Sequence, residues 1–189
     1  MITPQQQPVD ILVLDIETTG LNPANDCILE ISFIPAQLTH DKLHIDYKAS
    51  FSSVIAPYKF GFDKMSPNVR RMHESSGLLQ EVGQTLLEVN DVETNILTYI
   101  NSLFGHRATK IQLCGNSIHF DRSFIKTDMK RLEQRLSYRM LDVTPFRTLK
   151  QMLVSTEESI PKHRALEDCT YSAQLLAEFY EALCINFRR

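Results

Sequence analysis

The chain has 189 residues, 43% of them apolar and 23% charged, with a formal net charge of −3. That length makes one domain with a core of its own, and the charge excludes a protein that gathers long nucleic acid through a global basic field. No apolar run is long enough to span a membrane.

Residues 1–8 are polar and lack the charged start and apolar stretch of a secretory leader, so they read as a flexible N-terminal tail before a single domain over 9–189. Cys27, Cys114, Cys169 and Cys184 are scattered, without a C-x-x-C pair or zinc-like spacing. They are expected to be reduced thiols in a cytoplasmic protein.

In chain order, Ile11 to Leu14 form an unbroken apolar run, the pattern of a strand covered on both faces. It ends in Asp15 and Glu17, which two-residue spacing places on one face of an extended chain. Two like charges there call for a cation, and oxygen ligands suit Mg²⁺ or Mn²⁺. The plainer alternative is a polar strand end followed by a Thr18-Thr19-Gly20 turn. Residues 21–26 are rich in turn formers. Cys27 to Ile34 and Leu43 to Phe51 read as second and third strands, the latter alternating at Leu43, Ile45, Tyr47 and Ala49. An irregular segment follows to Ser66, and Pro67 opens a short helix. Asp91 is the expected cap of a longer helix with stripe Val92, Ile96, Tyr99, Ile100 and Leu103, ended by Gly105. Lys110 to Cys114 is a strand, His119 to Leu136 a helix, and Tyr138 to Val143 the last strand. Thr144 caps a helix to about Leu153, with Pro145 at its first position. Ser155 to Lys162 reads as a loop before a closing helix from Leu166 to about Ile185. The order predicts an α/β domain: a mixed five-stranded sheet flanked by helices on both faces.

Three further residues complete a pattern. Asp121 lies one turn into a helix between Phe120 and Phe124. Alone, it reads first as an acid that favours the helix N-terminus, although an acid beside an apolar helical face calls for a partner. His163 and Asp168 flank the start of the last helix. Two-metal phosphoryl chemistry needs several carboxylates around cations about 3.5–4 Å apart, with a base to take a proton from water, and this set of residues supplies both.

The set is similar to that of the D-E-D-D-h exonucleases, which have a ribonuclease-H-like fold, and within them to the oligoribonucleases. The run from Cys114 to Phe124 resembles C-G-N-S-I-x-x-D-R-x-F, the run from Tyr138 to Val143 resembles Y-R-x-L-D-V, and His73 with Ser76-Gly77-Leu78 resembles H-x-x-S-G-L. The resemblance implies that Asp15, Glu17, Asp121 and Asp168 bind two divalent ions, Mg²⁺ or Mn²⁺, with His163 as general base. It implies hydrolysis of the 3′-terminal phosphodiester of short RNA to nucleoside 5′-monophosphates. A near-neutral imidazole suits the base role. By the same resemblance Leu21 is an apolar wedge against the terminal bases, His73 contacts substrate, and Ser117, Arg139 and Thr144 help cap the 5′ phosphate. Tyr138 and Arg139 would then act across a homodimer. The plainer readings are a buried turn residue for Leu21, a capping or surface histidine for His73, and a core strand residue for Tyr138 beside a solvated Arg139.

Three departures bear on substrate. The opening D-I-E-T-T-G is nearer proofreading-type exonucleases. The chain has no tryptophan, so a base-stacking residue of the oligoribonucleases is missing; Asn68 lies near that place, and Phe60 or Phe62 could substitute. Pro145 follows Thr144 where the family has a small hydroxyl residue. The alternative is therefore a 3′→5′ exonuclease trimming or proofreading longer single-stranded DNA or RNA. A third reading, a non-catalytic nucleic-acid-binding domain, conflicts with clustered carboxylates, which without metal are a liability.

Overall fold

The structure, a computed structural model, describes residues 7–59, 62–105, 110–154 and 163–187. Strand β1 (Val9–Thr18) lies in the middle of the sheet, as its apolar run demands. It pairs along its whole length with antiparallel β2 (Ile28–Leu38), and in parallel with β5 (Ile111–Gly115) over Ile11–Val13 alone. β2 also carries β3 (Leu43–Ile45) and β4 (Phe51–Val54), and β6 (Leu136–Asp142) lies outside β5 as a parallel edge strand.

Alternation along β1 divides the core. Leu12, Leu14 and Ile16 face one layer, where they meet Val92, Ile96 and Ile100 of α3 (Val89–Phe104), Phe124 and Ile125 of α4 (His119–Asp128) and Leu132 of α5 (Lys130–Glu133). Ile11 and Val13 face the other, against Cys169, Ala173 and Leu176 of α7 (Ala165–Phe187), with Phe146 of α6 (Thr144–Val154) alongside. A smaller cluster seats α1 (Pro67–Ser75) and α2 (Leu78–Val82) against Cys27 and Leu29. Helices thus cover both faces of a mixed sheet, as predicted.

The sheet has six strands rather than five because the predicted third strand breaks. Asp46 accepts hydrogen bonds from the Lys48 and Ala49 amides, closing a 3-10 turn over Tyr47–Ala49 that separates β3 from β4. The expected helix from His119 to Leu136 also divides, at Met129 (φ −126°, ψ 64°), and Leu136 already belongs to β6. Glu88, not Asp91, caps α3: the Glu88 amide donates to Asp91 in a capping box. On that helix Phe104 is buried in place of the predicted Leu103, which is exposed. Cys27, Cys114 and Cys169 are free thiols in the core, and burial pushes Cys114 up to about 12. The expected loop at 155–162, residue Phe60 and most of the predicted tail lie outside the described residues. Among the described residues no helix is long and apolar enough to cross a membrane.

Candidate active site

β1 outruns its parallel neighbour, and the site begins there. Beyond Val13 the strand has no β5 partner, so the Ile16 amide is open to a side chain. It donates to Asp121 Oδ1 at 2.9 Å, a contact spanning 105 residues of chain that brings α4 to the strand end. Gly115, at the end of β5, lies close against β1: a Cβ there would stand 2.6 Å from the Leu14 carbonyl oxygen.

Asp15 and Glu17 share the face of β1 that meets α7, which carries Asp168 in its first turns. Ligand oxygens of Asp15, Glu17 and Asp168 all lie within 4.8 Å of one another. Asp121 is almost fully buried beside them. Burial, with repulsion from Asp121, Glu17 and Asp168, pushes Asp15 well above the usual carboxylate range. Glu17 is pushed up to about 8 by burial and by the charges of Asp168, Glu30 and Asp121, against the opposing pull of Arg164. Asp121 also rises to about 8, chiefly through burial, although its backbone hydrogen bonds oppose this. Burial raises Asp168 too, while neighbouring His163 pulls it down. Hard oxygen donors converging under mutual repulsion fit hard divalent cations, whose charge would reverse those shifts.

His163 lies two residues before the first residue of α7, with a left-handed backbone (φ 53°). His73 is neither a surface nor a capping histidine. It is fully buried on α1, its Nε2–H donates to the Thr18 carbonyl at 2.9 Å, and Nδ1, without a hydrogen-bond partner, lies 3.8 Å from Glu17 Oε2. Burial, together with the nearby His163, holds this imidazole below its ordinary range. It stands behind Glu17, enclosed by protein.

Leu21 is 82% exposed, which removes the reading of a buried turn residue. Its turn is held by Asp26, which accepts from the Thr19 hydroxyl and the Asn22 amide, and by Lys59, which donates to the Pro23 and Asp26 carbonyls and pairs with Asp128. Ser117 (φ 52°) and Thr144 come together, the Ser117 amide donating to Thr144 Oγ1 at 2.7 Å. Asp142 ties both backbones: partial burial would raise its pKa, but bonds from the Thr144 side chain and the Thr144 and Ser117 amides leave it lowered. Tyr138 and Arg139 are not brought to the carboxylates and are not core. Both are exposed on edge strand β6, the guanidinium stacked 5.4 Å from the ring centroid. Asn68 is exposed and accepts from Arg71, while Phe62 packs under Arg70.

Two residues that sequence reasoning missed adjoin the site. Glu30 is 1% exposed and sits directly opposite Glu17 in the β1–β2 ladder. Arg164, next to His163, reaches it. The available signal was a lone charge inside the apolar run of β2, which a buried strand tolerates only with a partner.

Comparison with known proteins agrees with this geometry. Residues 12–176 match the exonuclease family of the RNase T type. The chain is 33% identical over 179 residues to an oligoribonuclease of Streptomyces avermitilis, covering 91% of this chain and 86% of that protein. It is 33% identical over 180 residues to one of Neisseria meningitidis, covering 93% of each. The crystal structure of cell-death related nuclease 4 superposes with a TM-score of 0.56 at 14% identity, a likeness of fold; the match covers 93% of this chain and 64% of that one.

Proposed function

The chain belongs to the exonuclease family and is a 3′→5′ exonuclease, and on that premise we propose that it hydrolyses short RNA, releasing nucleoside 5′-monophosphates from the 3′ end. The observation that carries the reading is the meeting of Asp15, Glu17 and Asp168 within 4.8 Å, with Asp121 buried beside them.

In this reading Asp15, Glu17, Asp121 and Asp168 hold two divalent cations, Mg²⁺ or Mn²⁺. Such ions supply positive charge to the scissile phosphate and make water a better nucleophile. His163 takes the proton of the attacking water. The new bond joins water oxygen to phosphorus, the bond from phosphorus to the 3′ oxygen breaks, and that oxygen leaves with a proton from solvent. His73 packs behind Glu17, held by its Nε2–H on the Thr18 carbonyl. Exposed Leu21, four residues beyond Glu17, wedges against the terminal bases, and Ser117 with Thr144 receives the 5′ phosphate of a very short substrate. Tyr138 and Arg139 complete that cap from the second subunit of a homodimer. The relatives' shared name, oligoribonuclease, and the exposure of Leu21, Tyr138 and Arg139 support the short-substrate reading.

The test is a length series. Purified protein with Mg²⁺ or Mn²⁺ is given 5′-labelled RNA and DNA as dinucleotides, pentamers and long strands, beside Asp121→Ala. Fastest cleavage of the RNA dinucleotide, lost in Asp121→Ala, is the expected result. Efficient degradation of long strands with accumulating dinucleotides would replace it with a general single-strand trimmer. Light scattering on the eluting protein tests the dimer, and a clean monomer removes the cross-subunit role of Arg139.

A further inference from the structure

Behind the acidic cluster a buried charge is compensated in an unusual way. Glu30 faces Glu17 across the ladder, where like charges on one face repel, and a carboxylate so deeply buried needs a fixed cation. Arg164 supplies it from 134 residues away: Nε and Nη2 donate to Glu30 at 3.1 and 2.9 Å. The same guanidinium donates through Nη1 and Nη2 to Glu81 of α2 at 2.8 and 3.0 Å. Glu30 also accepts from the Ala165 amide at 3.0 Å and, more loosely, from the Ser52 hydroxyl at 3.4 Å. Three elements, β2, α2 and the start of α7, therefore meet on one planar fork, a geometry that the point charge of lysine does not reproduce.

The residue just before this fork is His163, in a left-handed conformation that is strained for a non-glycine residue and persists only where the surroundings hold it. The next two residues are both tied to Glu30, Arg164 by its side chain and Ala165 by its amide. The Asp168 amide donates to the Arg164 carbonyl at 3.1 Å, but its helix has further anchors: Cys169 donates to the Ser32 carbonyl at 3.2 Å, and Ala173 and Leu176 pack on the sheet.

We propose that Arg164 is a positioning residue for hydrolysis: clamped between Glu30 and Glu81, it fixes His163 beside the acidic cluster through its planar fork, a role distinct from the positive charge that lysine would keep. The inference rests on the reading of His163 as the base. Because α7 keeps its packing on the sheet and lysine keeps the positive charge, Arg164→Lys should slow turnover while leaving metal binding in place.

The experiment compares wild type, Arg164→Lys, Glu81→Gln and His163→Ala. Turnover of a short RNA oligonucleotide is measured at saturation, and Mn²⁺ affinity and stoichiometry are measured by electron paramagnetic resonance of the free ion without RNA. Arg164→Lys should lose about 10- to 100-fold in kcat, with full Mn²⁺ stoichiometry and affinity within about threefold of wild type. Glu81→Gln removes only the exposed half of the clamp and should lose about three- to tenfold in kcat with the same metal binding. Unchanged kcat in folded Arg164→Lys overturns the proposal, as does a parallel fall of kcat and Mn²⁺ affinity. If Arg164→Lys does not fold, Glu81→Gln decides by the same criteria. Wild-type turnover in His163→Ala overturns the functional reading beneath, and this inference with it, whereas a dead His163→Ala beside a fully active Arg164→Lys overturns this inference alone.

Discussion

Divalent metal should stabilise this protein far more at pH 8 than at pH 6. Glu17 is pushed up to about 8 by burial and by the surrounding carboxylates. A carboxyl whose pKa is higher in the folded than in the unfolded chain stabilises the fold fully below the unfolded value, near 4.5, and that contribution is lost as pH rises through about 8. The metal-free protein therefore carries its repelling charges at pH 8 and shields them with protons at pH 6. A cation binds the ionised form, so it competes with those protons. About half of Glu17 is ionised at pH 8 and about one part in a hundred at pH 6, a roughly fiftyfold difference in apparent affinity, or about 2 kcal/mol for one displaced proton. For a chain of this size 1 kcal/mol moves Tm by about 2–4 °C. With Mg²⁺ or Mn²⁺ well above its Kd at both pH values, the metal-induced rise in Tm should be about 4–8 °C larger at pH 8. Thermal melts followed by circular dichroism, with metal or with EDTA at each pH, measure the two increments. Equal increments would refute the reasoning, because the carboxylates would then not be holding protons that the metal must displace.

Three further outcomes are expected. His163→Ala should lower kcat by about 10²- to 10⁴-fold in steady-state assays, with metal-dependent stabilisation retained. Leu21→Ala should shift stability by less than about 0.5 kcal/mol, since Leu21 is exposed, while raising KM for short RNA; an unchanged KM argues against the wedge. Glu93→Ala should cost about 2–4 kcal/mol, because it strips two backbone amides of their charged acceptor, and lower Tm by about 4–16 °C. Its buried carboxylate accepts from the Arg131 and Leu132 amides and from Arg131 Nε. A denaturation curve measures the loss, and turnover of the folded fraction should be unchanged.

Much of the fold is legible where local pattern and burial coincide. Ile11 to Leu14 announce a central strand because no edge position would cover four successive apolar side chains, and Pro145 after Thr144 marks the start of α6 by its fixed φ. Reading fails where side chains compete with the backbone pattern. Asp46 turns an alternating strand into a 3-10 bend, and Met129 interrupts a helix that periodicity alone would continue. His73 has the residue type of a surface ligand, and only packing shows it enclosed with one nitrogen on Thr18 and the other toward Glu17.

The sequence by itself determined the family and the shared face of Asp15 and Glu17, because strand alternation and short motifs are properties of neighbouring residues. Asp15 and Glu17 had to share a face once β1 was extended, whatever lay around them. Which distant groups complete the site was decided by tertiary structure alone. Asp121 reaches the Ile16 amide because β5 stops pairing at Val13, and Glu30 meets Arg164 because β2, α2 and α7 converge there. Those contacts cross 105 and 134 residues of chain. A buried carboxylate announces that it needs a partner, but the identity of that partner depends on how the layers pack, and no local pattern carries that information.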